Sequence, residues 1–192
     1  MKGYTDRQSI ENYLLTTIES WFYTQVDEWI GQIEAYIDKA TGRNFIADTV
    51  ASQKVYDGDG TREILIDDCI DVTELKIEDG DALVEGYEDD YVVYPANNLP
   101  KTKLKLTAGY FNRGNQNVFV KGKWGYSSAV PDDIKFAATV LVAGIINYSM
   151  EGEGEVKSMS IGSYAVTYKD EKQWQDFDRM TEILNSYKKF SF

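Results

Sequence analysis

Histidine does not occur in the 192 residues. Its absence removes the usual general base near neutral pH, every Ser-His or Cys-His nucleophile pair, and the mixed Cys/His zinc sites. A single cysteine, Cys69, has no partner for an intrachain disulfide and points to a reducing compartment. Basic residues are scarce as well: 20 lysines and arginines stand against 32 aspartates and glutamates, a net charge of -12. A surface with that excess repels phosphate backbones unless its cations are segregated, so specific nucleic-acid binding is disfavoured, and solubility is the simplest use of the acidity. Long apolar runs are also missing. The longest, Phe136 to Ile146, falls short of the roughly 20 residues that a membrane span needs. Met1–Leu15 holds no stretch suited to a signal peptide, so we expect a soluble protein with no membrane partner. What remains is an ordinary globular balance, 43% apolar and 27% charged, able to bury a sizeable core.

Ile10, Tyr13, Leu14, Ile18, Trp21 and Phe22 recur at intervals of three and four, the period of one helix face, and Val26, Trp29, Ile30, Ile33, Tyr36 and Ile37 continue it. Thr24 with Asp27 has the form of a capping box restarting the helix, and Gly42 is a C-terminal stop, so the pattern predicts two helices or one long bent one. Between Ala51 and Ser127 the period changes to two, in Glu63–Ile66, Thr73–Ile77, Tyr91–Tyr94, Lys103–Leu106 and Val118–Lys121. Turn-forming clusters separate these runs, as an antiparallel sandwich or small barrel requires. Pro131-Asp132-Asp133 then opens a helix whose body, to Met150, is apolar on nearly every side and must be buried by other helices. Its partners are the N-terminal pair and a stripe of Trp174, Phe177, Met180, Leu184 and Tyr187. Residues 156–168 alternate around Ile161-Gly162-Ser163-Tyr164 and read as a hairpin with a two-residue turn. The expected fold is α+β: a bundle of about four helices from residues 1–50 and 128–192, carrying that C-terminal β-hairpin, with an inserted antiparallel β-sandwich or barrel lobe at 51–127.

The stretch VYDGDGTREILIDD, Val55 to Asp68, invites a calcium reading. An EF-hand loop counted from Asp57 places Asp59, Thr61 and Asp68 at ligand positions, but Arg62 stands where glycine is required and the flanks alternate with period two. A hairpin turn at Asp57-Gly58-Asp59-Gly60 fits better, with Ile64 and Ile66 facing the core and Glu63 and Leu65 facing away. Glu88, Asp89 and Asp90 share one turn and do not oppose each other across a substrate, so they read as a solvated turn. Gly122 and Gly125 lack the strand-to-helix setting of a phosphate loop. No cofactor is expected.

Taken in order, the helix ending Ile37-Asp38-Lys39-Ala40-Thr41-Gly42-Arg43-Asn44-Phe45, then Val55–Gly60 leading to Ile64-Leu65-Ile66, then Val118–Tyr126 followed by Val130-Pro131-Asp132-Asp133-Ile134 and a buried helix, resembles the head-tail connector, or adaptor, proteins of tailed bacteriophages and gene transfer particles, over about Val26 to Tyr187. The large β insertion and the aromatic N-terminal helix depart from the family's shorter, nearly all-helical members. The resemblance implies a structural virion protein without catalysis: a ring of copies of itself, typically twelvefold, docked under the portal protein in the virion neck and assembled in the bacterial host cytoplasm. A neck, stopper or tail-completion protein would attach below, and double-stranded DNA would pass through the centre only in transit.

On that reading, a channel lined with carboxylates lets the duplex slide without sticking, and Asp57, Asp59, Asp67 and Asp68 are its candidates. Subunit contacts are expected at Trp21, Phe22, Trp29, Tyr36, Trp124 and Tyr126, together with the exposed side of the Ile134 to Met150 helix. The hairpin tip, Gly162 and Tyr164, and the C-terminal Lys188, Lys189, Phe190 and Phe192 are candidates for docking to portal or tail, a frayed tail being the alternative. The competing function is a soluble β-sandwich module that presents Trp124 and neighbouring tyrosines to carbohydrate.

Overall fold

The computed structural model describes residues 1–150, 157–161, 164–168 and 171–189. They divide into two compact units, Met1–Arg43 with Val130–Phe192, and Asn44–Ala129.

The first unit is helical. Helix α1 (Arg7–Leu14) starts on Asp6, whose carboxylate accepts the Ser9 amide at 2.8 Å, and ends at Leu15 in the left-handed region. A 3-10 turn, Ser20–Phe22, runs directly into α2 (Tyr23–Thr41). The expected capping box is therefore not formed. The preceding turn already supplies a carbonyl to the Tyr23 amide, and Asp27 instead pairs with Arg7 at 3.0 Å. The stop at Gly42 forms as expected, with φ 68 and its amide on the Asp38 carbonyl. Val26, Ile30, Ile33 and Ile37 make the buried face of α2.

Helix α3 (Asp132–Met150) is the apolar rod of this unit: every residue from Ala137 to Asn147 is buried, against α1, α2 and helix α4 (Glu171–Ser186). A helix without a polar face can be covered only from all sides, and strand β7 (Tyr164–Tyr168) of the hairpin also packs on it. The hairpin pairs β6 (Lys157–Ile161) antiparallel with β7, Ile161 standing opposite Tyr164. No helix of the described residues is long and apolar enough to cross a membrane.

The second unit is one antiparallel sheet of β1 (Ser52–Gly58), β2 (Glu63–Ile77), β3 (Tyr91–Tyr94), β4 (Lys101–Leu106) and β5 (Gly114–Trp124), in the order β1-β5-β2-β4-β3. It is neither a sandwich nor a barrel. The long β2 serves two partners in succession, Ile64 opposite Leu104 of β4 and Leu75 opposite Val120 of β5, with register shifts near Cys69 and Val72 where bulges bend the strand. Alternation holds at its start, Ile64 and Ile66 buried and Leu65 62% exposed, and slips at Asp68 and Cys69, which are both buried. Only one face carries an apolar row, so no second sheet is required; Phe111 and Leu83, both outside the strands, complete that core.

The stretch from Val55 to Asp68 is not a hairpin. β5 lies between β1 and β2, and the connection Asp59–Arg62 crosses its end, joined to the segment before β5 by reciprocal bonds: Gly60 N–H to the Phe111 carbonyl and Phe111 N–H to the Thr61 carbonyl. Gly60 has φ 82, as the turn demands, whereas Gly58 serves a close approach, since a Cβ there would lie 2.0 Å from the Asn112 carbonyl oxygen.

Candidate functional site

Trp29 and Tyr36, seven residues apart, lie along one side of α2 beside its buried face, and Phe22, seven residues before Trp29, ends the 3-10 turn that leads into the helix. Trp21 extends the aromatic stripe outward. Its ring is 5.1 Å from that of Phe22, which meets Trp29 edge-on at 5.3 Å. Trp21 is 78% exposed and Leu15, where α1 ends, is also exposed, while Phe22, Trp29 and Tyr36 are half-buried. Arg7 clamps the base of this region by stacking 4.3 Å over Tyr23 and pairing with Asp27.

Trp124 and Tyr126 are placed differently. Trp124 is 4% exposed, its indole N–H donating to the Ser52 carbonyl at 2.8 Å and its ring lying beneath the Lys54 ammonium. It braces β1 against β5 and is no platform for a sugar or for a subunit contact. The inward side of β5 claims it because Val118, Val120, Gly122 and Trp124 share that side by alternation. Tyr126 is half-buried, with its ring 5.6 Å from Phe45.

The four aspartates do not form one surface. Asp57 and Asp59 are exposed, but each carboxylate receives a backbone amide, Asp57 that of Gln116 at 2.6 Å and Asp59 that of Thr61 at 2.8 Å. Hydrogen bonding to Thr61 holds the Asp59 carboxyl below its ordinary value. Asp67 accepts from Lys54 at 2.8 Å and from the Tyr56 hydroxyl, and burial pushes that phenol above its ordinary range. Asp68 is 6% exposed and lines no open surface of this chain. Among the described residues, no group of three or more carboxylates and thiols is arranged to hold a metal ion.

Of the docking candidates, Gly162, Phe190 and Phe192 lie outside the described residues, and Tyr164 opens β7. Lys188 and Lys189 are exposed, yet the chain is fastened up to this point. The Lys189 amide donates to the Thr41 carbonyl at 2.8 Å, Arg43 Nε donates to the Tyr187 carbonyl at 2.6 Å, and the Tyr187 hydroxyl donates to Asp133.

Two features escaped sequence reasoning. Glu34 falls inside the apolar stripe of α2 and is buried, where it accepts the amides of Lys2 at 2.7 Å and Tyr4 at 3.0 Å. Its position between Ile33 and Ile37 was the available signal. The lysines of β4 repeat with period two, which assigns them to one face, but their excess over neighbouring carboxylates depends on which strands lie beside them.

No family model matches the sequence, and no curated protein matches it. Solved structures share the fold. A chain in the neck of an empty gene transfer agent particle, computed with C6 symmetry, superposes with a TM-score of 0.60 at 10% identity, covering 100% of this chain and 93% of that one. A chain in the virion of a native gene transfer agent particle superposes with a TM-score of 0.58 at 11% identity, covering 96% and 89%.

Proposed function

We propose that this chain is a structural subunit of the neck of a tailed-phage-type particle, a connector that closes into a ring beneath the portal and joins it to the neck or tail proteins below. The observation that carries the reading is the agreement in fold along the entire chain, sheet unit included, with a chain of a gene transfer agent neck. The expected copy number is twelve, with which the sixfold symmetry applied to that neck is compatible. The helical unit and the inserted sheet unit act as two domains of this subunit. Its place is the virion neck, after assembly in the host cytoplasm, and its work is positional, without cofactor or catalysis.

Surface chemistry supports the reading. The aromatic stripe of Trp21, Phe22, Trp29 and Tyr36 has the composition of a subunit contact, with large rings of low conformational entropy and one indole standing free. The net charge of -12 suits a conduit through which DNA slides, with Asp57 and Asp59 as exposed candidates for its lining. Tyr164, Lys188 and Lys189, with Gly162, Phe190 and Phe192, remain the candidates for contact with portal or tail. Imaging the purified protein by negative stain, alone and mixed with its portal, tests the proposal. Rings or ring-capped portals are expected; isolated monomers under both conditions would overturn it.

A further inference from the structure

One face of the sheet unit carries cations that its own carboxylates do not balance. Lys101, Lys103 and Lys105 alternate along β4 and so share a side. Glu63 stands opposite Lys105 and Leu65 opposite Lys103, with Val92 and Tyr94 on the other flank. Glu63 is shared, since both Lys103 Nζ and Lys105 Nζ lie 2.9 Å from its oxygens. Lys101 is bound to the carbonyls of Pro95 and Ala96 and Arg62 to that of Thr107, acceptors that neutralise no charge. The next carboxylate along β2, Asp67, is already matched by Lys54. Exposed Leu65, Tyr87 and Tyr94 border the cations, and Arg62, Tyr87, Val92, Tyr94 and Lys105 line a shallow cleft of about 350 Å³.

The opposite imbalance lies in the segment leading to β3. No lysine or arginine occurs from Ile77 to Pro100, and the seven carboxylates between Glu78 and Asp90 are all exposed. Among the described residues none of them enters an ion pair. One unit thus presents two unbalanced surfaces of opposite sign, and a contact that uses different patches on its two sides is what repeated association of one chain requires.

We propose that these surfaces recognise each other between copies: the β4 lysine face of one copy receives the acidic Glu78–Asp90 segment of the next, while Leu65 and Tyr94 beside the lysines and Tyr87 within the acidic segment lose water at the contact. The inference rests on the assembly reading and supplies its electrostatic register. Opposed charges of this kind steer association, exclude wrong alignments and are screened by salt.

The test uses the full chain, a Lys103→Glu/Lys105→Glu variant and an Asp81→Lys/Glu88→Lys variant, with mass photometry across a salt series. Wild type should associate at low salt and dissociate as salt rises. Each reversed variant should associate roughly tenfold more weakly or worse, and an equimolar mixture of the two should recover, because together they again offer opposite surfaces. Asp81 and Glu88 are exposed, so that variant should keep the wild-type melting curve and separate lost association from lost folding. Carbodiimide cross-linking of isotopically distinct copies should join Lys103 or Lys105 to Glu85 or Glu88. Assemblies that ignore both reversals, or folded variants that fail to recover on mixing, overturn the inference alone. A wild type that stays monomeric at every salt concentration overturns the inference, and the assembly reading falls with it where the portal is not capped by rings either.

Discussion

Glu34 Oε1 accepts the backbone amide of Tyr4 at 3.0 Å, in a setting where Glu34 is 3% exposed and Tyr4 fully buried. The other oxygen takes the Lys2 amide, and the Tyr4 hydroxyl reaches Asp38 at 2.5 Å, so the start of the chain is fastened to α2. Thr5 continues the attachment to α3 through a buried hydroxyl contact with Thr139 at 2.7 Å. A buried carboxylate is tolerable here because both of its oxygens receive donors.

Replacing Glu34 with Ala strands two amides that the carboxylate now satisfies. The expected cost is about 1–3 kcal/mol, seen as a lower urea midpoint. Glu34→Gln keeps one carbonyl oxygen and should fall between the two.

Glycine substitutions should diverge according to their surroundings. Gly31 lies in α2, where an added Cβ would meet nothing within 4 Å, so Gly31→Ala should stabilise by about 0.5–1 kcal/mol through helix propensity. Gly58→Ala would drive a Cβ to 2.0 Å from the Asn112 carbonyl, a backbone atom that cannot swing aside. A loss of about 1–3 kcal/mol is expected there, and thermal unfolding of the two variants beside wild type reads both effects.

The Glu63 carboxyl is held below its ordinary value of 4.5 by hydrogen bonds from Lys103 and then Lys105. A depressed folded-state value means that the contribution is complete above pH 4.5 and is lost as pH falls through the lower folded value. The stability difference between wild type and Glu63→Gln should therefore shrink on acidification. Urea midpoints measured from neutral pH into the acid range check it; a difference that stays constant would show that the lysine bonds do not act through ionisation.

Trp21 separates folding from assembly. Its exposure means that Trp21→Ala should leave subunit stability within about 0.5 kcal/mol. If the ring of copies closes through the aromatic stripe, the same change should weaken association by roughly thirtyfold, the effect of a modest interface hot spot. Mass photometry at graded concentrations, alongside a melting curve, measures both.

Several elements are legible because local chemistry alone decides them. Pro131, Asp132 and Asp133 announce α3, the surrounding apolar residues require its burial by other helices, and Gly42 marks the end of α2. The alternation of Ile64, Leu65 and Ile66 tells inside from outside. The capping box at Thr24 misleads because a 3-10 turn has already provided a carbonyl for the following amide. Trp124 looks ambiguous among glycines because alternation says which residues share a side, but not which side the core occupies at the end of a strand.

The sequence by itself determined the periods, the helix ends and the need to bury α3, since these follow from backbone geometry and the transfer of nearby side chains out of water. Only the tertiary structure decided that β5 lies between β1 and β2, that Trp124 is interior and that Glu34 meets the amides of Lys2 and Tyr4. Each of those outcomes joins residues far apart along the chain. Their pairing is settled by which distant surfaces fit and satisfy one another once loops have closed, and no local pattern records it.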